Sequence, residues 1–286
     1  MENKMIGIVK IGTIPQVVNV VINQLVCLLQ KMNHKHITGI QTTGEKLVFL
    51  PLNDGEKGNR LPSISLANWK CHQANLAEKC DILIVFYNEE ETINIDGLRI
   101  NSTCKILMVP INLFNEQNPN IYHLGFDSAL NEVVNNIYKV EDTAGSLLFP
   151  NKRLFLIKIP GKKAGVFLKF TAAALQCELI EEETESELQR ITQNLEEKYH
   201  EGKSYALLLV NETVEEEKVK KHISAGRNLD FRTVMIEEAQ CIGGKPTASD
   251  RIFAFELAEK MAQWTLSGKS MEKVQLERKN EIKFVK

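Results

Sequence analysis

"GGKPTASDR" (residues 243–251) is a glycine pair, a lysine and a proline running into a helix start. The apolar spacing that follows predicts a long helix over residues 251–267. Working outward from it, a second stretch of similar character, "GFDSAL" (residues 125–130), opens a predicted helix over residues 130–140. Before these lie short apolar runs that read as strands: "MIGIVKIG" (5–12), "ITGIQ" (37–41), "KLVFLPL" (46–52), "DILIVFY" (81–87) and "KILMVPI" (105–111). Helices are expected over residues 15–32, behind a proline suited to a first turn, and over residues 68–79. Between the two glycine stretches come strands in "RLFLIKIPG" (153–161), "YALLLVNE" (205–212) and "FRTVMIEE" (231–238), with helices over residues 166–177, 184–200 and 213–225. "VQLERKNEIKFV" (274–285) reads as a closing hairpin. Strands alternating with helices imply an α/β fold of parallel sheets flanked by helices. Two such series imply two Rossmann-like lobes with a cleft between them. The expected division is residues 1–128 plus 243–286 against residues 129–242.

Composition narrows the function classes. The chain has 286 residues and a formal net charge of −2, so no basic field points to nucleic acid or an anionic membrane. No apolar run reaches the ~18 residues a membrane span needs. Met1 to Lys4 lead straight into strand-like sequence, so no leader is expected and a cytoplasmic placement is. The six cysteines are scattered with no C-x-x-C, which predicts buried reduced thiols and no metal site. His34 and His36 are expected at the surface. The Glu-rich tract over residues 181–187 is expected to be a solvated face.

The order of the motifs resembles the ATP-dependent 6-phosphofructokinase family over nearly the whole chain. "GFDSAL" and "GGKPTASDR" match that family's patterns almost letter for letter, and "EDTAGS" (141–146) resembles its Arg-Asp-Thr-Ala-x-Ser. The resemblance implies two lobes and a site for a nucleotide and a sugar phosphate. The departures are concentrated at that site. The family's Ser-Gly-Gly-Asp loop falls on Ile11, Gly12, Thr13 and Ile14, where a β-branched residue cannot bring backbone amides up to phosphate oxygens. Its second loop, Gly-Gly-Asp-Gly-Ser, falls on Tyr87, Asn88, Glu89, Glu90 and Glu91, which adds bulk and negative charge. Its catalytic Thr-Ile-Asp-Asn-Asp falls on Asn112, Leu113, Phe114, Asn115 and Glu116. Phe114 therefore stands where the base is expected, with Glu116 as a retained acid. No Asp between Gly97 and Gly125 could restore the base by a shift of alignment.

On the sugar-phosphate side, Met-Gly-Arg becomes Pro160, Gly161 and Lys162, which keeps a charge and loses the guanidinium fork. The His and Arg expected to hold the phosphate fall on Ala239 and Ile242. Another phosphate-binding Arg falls on Thr233, beside Arg232. Arg153 and Glu212 match family positions, as do Glu178 and Lys203 of the effector site, whose arginines fall on Asn23, Cys27 and Glu141. The resemblance with these losses implies a phosphofructokinase-like pseudoenzyme, with ATP and magnesium binding lost and no cofactor. It is expected to act as a regulatory, structural or binding subunit, self-associating to a dimer or tetramer or joining an active phosphofructokinase paralogue. The alternatives are a divergent family enzyme phosphorylating a sugar phosphate, and a small-ligand sensor. The apolar replacements Ile11, Ile14, Val17, Val18, Phe114 and Ile242 either pack the cleft closed or form an exposed patch.

Overall fold

The computed structural model describes residues 4–53, 60–89, 103–146, 150–277 and 281–285. The chain divides into two compact units, and each has its own sheet. The first contains Met1–Asn112, Asn120–Asp127 and Lys245–Lys286, and the second Leu113–Pro119 and Ser128–Gly244. The loop Leu113–Pro119, assigned to the first lobe by sequence order, therefore belongs with the second unit.

In the first unit β1 (Met5–Ile11), β4 (Ile82–Asn88) and β5 (Lys105–Ile111) are nearly continuous apolar runs buried on both faces, as interior parallel strands require. β2 (His36–Thr43) lies beyond β1 and carries the antiparallel β3 (Lys46–Pro51). On the other side β11 (Met271–Glu277) joins β5 in parallel and β12 (Glu281–Val285) in an antiparallel pair. The two-residue β6 (Ile121–Tyr122), too short to be legible as a strand in sequence, also pairs with β11. The resulting sheet order is β12-β11-β5-β4-β1-β2-β3.

Helix α1 (Val17–Lys31) buries Val17, Val18, Val21, Ile22, Leu25, Val26 and Leu29, one stripe at helical spacing. The end of α1 corrects one expectation. Asn33 is left-handed (φ 70°), its amide donates to the Gln30 carbonyl, and the His34 amide donates to the Leu29 carbonyl. That hydrogen-bond pair folds the residue after the left-handed one back onto the helix, so His34 is buried while His36 is exposed. The cysteines also divide: Cys80, Cys104 and Cys241 are buried, whereas Cys71 is exposed. Helix α2 (Leu66–Lys79) begins ahead of the sequence estimate because the Ser65 side chain caps it, accepting from the Asn68 amide.

Helix α3 (Phe126–Gly145) runs from the first unit into the second. The second sheet is all parallel in the order β10-β7-β9-β8, formed by β7 (Lys152–Ile159), β8 (Glu178–Leu179), β9 (Tyr205–Asn211) and β10 (Leu229–Met235). Helices α4 (Val166–Leu175), α5 (Glu185–His200) and α6 (Glu216–Ile223) accompany it. Ile191, Leu195, Val219 and Ile223 of α5 and α6 close over Leu154, Leu156, Leu208 and Val210. A short helix, α7 (Glu238–Ile242), takes the place of the expected end of the strand at residues 236–238. A reciprocal cap between Glu237 and Gln240 starts it. The long helix α8 (Ala248–Leu266) closes the series and packs on α1. Among the described residues no helix is long and apolar enough to cross a membrane.

Candidate functional site

The two motifs that opened the sequence reading meet within the first unit. Thr247 is the N-cap of α8, and its hydroxyl donates to Asp127 Oδ2 at 2.6 Å. Asp250, 0% exposed, accepts from the Tyr122 hydroxyl at 2.6 Å and from the Gly125 amide at 2.9 Å. Burial, followed by the neighbouring Asp250 carboxylate, pushes the Tyr122 hydroxyl far above the ordinary tyrosine range, so it stays a donor. Gly125 has φ 95°, and a Cβ there would lie 2.9 Å from Pro15 Cβ, so glycine is required twice over. "GFDSAL" and "GGKPTASDR" therefore form a clasp of carboxylate hydrogen bonds centred on the buried Asp250. Sequence spacing alone does not show these contacts, because the partners lie more than a hundred residues apart.

The first loop is committed elsewhere. Gly12 keeps a positive φ of 75°, but its amide donates to the Ile64 carbonyl at 3.0 Å. Ile14, Val17 and Val18 are buried while Thr13 is exposed. In the first turn of α1 the Val18 and Asn19 amides donate back to Pro15 and Gln16. A phosphate cradle needs several free amides converging on one point, and here three of the candidates already have backbone acceptors.

The second loop is held by a residue that sequence reading missed. Lys273, on β11, donates to Glu89 Oε1 in a short contact. Tyr87 is buried beside this pair, and Asn88 is half-buried. Burial draws the Lys273 ammonium down, but its hydrogen bond to Glu89 and the adjoining Tyr87 outweigh that and hold it above the ordinary lysine value. Burial likewise raises the Tyr87 hydroxyl. Glu90 and Glu91 lie outside the described residues. The described carboxylate of this loop, Glu89, is thus paired with Lys273, and the Gly12 amide of the first loop is taken by the Ile64 carbonyl. Among the described residues no cluster of three or more His, Cys, Asp or Glu is placed to hold a metal ion.

In the second unit three loops gather at the C-terminal ends of β7 and β9. Phe114 is 4% exposed and sets its ring edge-on against Phe167, with centroids 5.0 Å apart. Asn115 Oδ1 accepts from the Lys162 amide at 2.6 Å, and the Glu212 amide donates to the Gly161 carbonyl at 3.3 Å. Gly161 has φ 125°, and a Cβ there would come within 3.0 Å of the Phe114 carbonyl, so the loop's close approach needs glycine. Glu116 is half-buried and bonded locally: its Oε1 accepts from the Asn118 amide at 2.7 Å, and its carbonyl accepts from the Val166 amide at the start of α4. The structure thus brings Phe114, Glu116, Lys162 and Glu212 into neighbouring loops, with the Lys162 and Glu212 side chains exposed.

Arg153 and Arg232 do not join them. Arg153 lies at the opposite end of β7, six residues before Ile159, a separation of roughly 20 Å along the strand. Its Nε donates to Asp230 at 2.9 Å, and Arg232 reaches the same carboxylate at 2.8 Å. Asp230 went unnoticed in the sequence because only the β7–β10 register sets it opposite Arg153. Glu178 and Lys203 have separate partners. Glu178 is held from α5 by Lys198 at 3.3 Å and Arg190 at 3.4 Å. The Lys203 carbonyl accepts from Lys152, and its own side chain is exposed. Ile242 is half-buried.

A mostly parallel sheet with helices in one unit and an all-parallel sheet with helices in the other define a two-unit α/β protein. Residues 73–265 match the family model described as Phosphofructokinase, and the chain belongs to that family. It is 31% identical over 164 residues to the ATP-dependent 6-phosphofructokinases of Bacillus thuringiensis (strain Al Hakam) and Bacillus cereus (strain AH187). The match covers 56% of this chain and 50% of each of theirs, so the chain aligns with about half the length of these relatives. Among solved structures it superposes on Pichia pastoris phosphofructokinase in the T-state with a TM-score of 0.76 at 15% identity, covering 100% of this chain and 37% of that one. Saccharomyces cerevisiae phosphofructokinase gives 0.77 at 15% identity, covering 99% and 44%. The pyrophosphate-dependent phosphofructokinase of Nitrosospira multiformis gives 0.72 at 12% identity, covering 99% and 83%. At these identities the likeness concerns the fold.

Proposed function

We propose that this chain is a phosphofructokinase-family pseudoenzyme, without phosphoryl transfer or nucleotide and magnesium binding, acting as a regulatory, structural or binding subunit. The observation that carries the reading is Phe114: the position expected to hold the base is an aromatic ring packed into the second unit's apolar interior. Loss of a general base alone costs ~10²–10⁴-fold in rate. The committed Gly12 amide and the Glu89–Lys273 pair support the same reading at the phosphate loops.

The proposed placement is cytoplasmic, and the proposed mode of action is assembly, as a dimer or tetramer with itself or with an active phosphofructokinase. Retention of the clasp while the phosphate-facing residues diverge supports a scaffold kept for its surfaces, since fold alone does not carry activity. The test is turnover by the full chain with fructose 6-phosphate and ATP, GTP or pyrophosphate. No turnover is expected, and a rate in the common enzyme range of ~1–10³ s⁻¹ would overturn the reading. Light scattering over a dilution series tests assembly: at least a dimer is expected, and a monomer at every concentration, alone or with an intact phosphofructokinase, removes it.

A further inference from the structure

Strand order in the first unit reverses direction at β1. The chain builds β2 and β3 on one side of β1, then returns to lay β4, β5 and β11 on the other. The carboxyl ends of β1 and β4 are thus the topological switch point, where open α/β sheets ordinarily receive their ligands. Glu89 follows the end of β4, half-buried, and its carboxylate faces a cation there. In this chain the cation is delivered covalently. Lys273 pairs in register with Met108 of β5, and its side chain reaches across β5 to Glu89 and the Tyr87 hydroxyl.

We propose that Lys273 is a tethered counterion, an internal occupant of the switch point that takes the place of any cationic ligand at Glu89. The proposal rests on the reading that this site takes no metal, and explains how the site stays satisfied without one. A tethered partner is held at high effective concentration by the β5–β11 pairing and is not diluted away. The pair is partly open to solvent, so its effect on stability is modest. Its main consequence is exclusion, since a divalent cation must displace Lys273 before Glu89 can act as a ligand.

The experiment uses the full chain and manganese(II), with free metal followed by electron paramagnetic resonance, in wild type, Lys273→Met, Glu89→Gln and the double variant. Wild type is expected to show no saturable uptake. Lys273→Met is expected to bind at least tenfold more tightly than wild type, and the double variant to lose that gain. Equal behaviour of wild type and Lys273→Met overturns the proposal. Melting temperatures in metal-free buffer supply a second measurement. Lys273→Met is expected to lower Tm by about 2–4 °C, with little further loss when Glu89→Gln is added. Additive losses overturn the proposal. Turnover by the wild type would remove the pseudoenzyme reading and leave this cycle intact, whereas manganese uptake through Glu89 in wild type would remove the tether.

Discussion

Lys10 is expected to weaken the fold it belongs to, so removing its charge should stabilise the protein. It lies on β1, only 6% exposed, and its ammonium donates to Asn19 Oδ1 at 3.1 Å. Burial lowers its pKa from 10.5 to about 8. The folded state thus gives up this proton near pH 8 while the unfolded chain keeps it to about 10.5. Below pH 8 the full penalty is present, and between the two values the unfolded state binds more protons, so stability rises with pH. At ~1.4 kcal/mol per pKa unit the penalty at pH 7 is on the order of 3 kcal/mol. Lys10→Met keeps the length of the stem, removes the charge and gives up one hydrogen bond worth ~1 kcal/mol, leaving a net gain of about 2 kcal/mol. Urea unfolding followed by tryptophan fluorescence reports on the right unit, because Trp69 and Trp264 both lie in the first. Buried thiols such as Cys80, pushed up to about 11, also titrate at high pH, but the difference between wild type and variant cancels them. The variant is expected to be more stable at pH 7, with the advantage shrinking between pH 8 and 10.5. A variant less stable at pH 7, with an unchanged difference above pH 8, would refute the argument.

Asp250→Ala leaves the Tyr122 hydroxyl and the Gly125 amide without their carboxylate, and is expected to cost about 3 kcal/mol in the same denaturation assay; a cost under ~0.5 kcal/mol would show that the clasp contributes nothing. Gly125→Ala places a Cβ at φ 95° against Pro15 and is expected to cost ~1–3 kcal/mol, whereas an unchanged midpoint would contradict the strain assigned there. Phe114→Asp buries an unpaired carboxylate beside Phe167; it should destabilise by ~3 kcal/mol or more and leave turnover absent, because the phosphate loops remain committed. Recovery of phosphoryl transfer in that single variant would place the lesion at one residue and undo the account of the loops.

The sequence by itself determined the alternation of strands and helices, the apolar stripe of α1 and the chemical incapacity of Phe114 to accept a proton. These are local properties: period, propensity and functional group are legible wherever a residue falls. The resemblance to the phosphofructokinase family implied which motifs match and which depart. Element ends were less legible where a cap decided them, as at Ser65 before α2 and at Glu237 and Gln240 in α7. Only the tertiary structure decided what each site residue does. Lys273 and Glu89 are 184 residues apart and meet because β11 joins β5 beside β4. Asp230 takes Arg153 because β10 pairs with β7 in that register, and the Gly12 amide goes to Ile64 because the segment before α2 adds itself along β1. Pairings of this kind depend on strand order and register between distant segments, and hydrophobic periodicity within one segment carries no information about either.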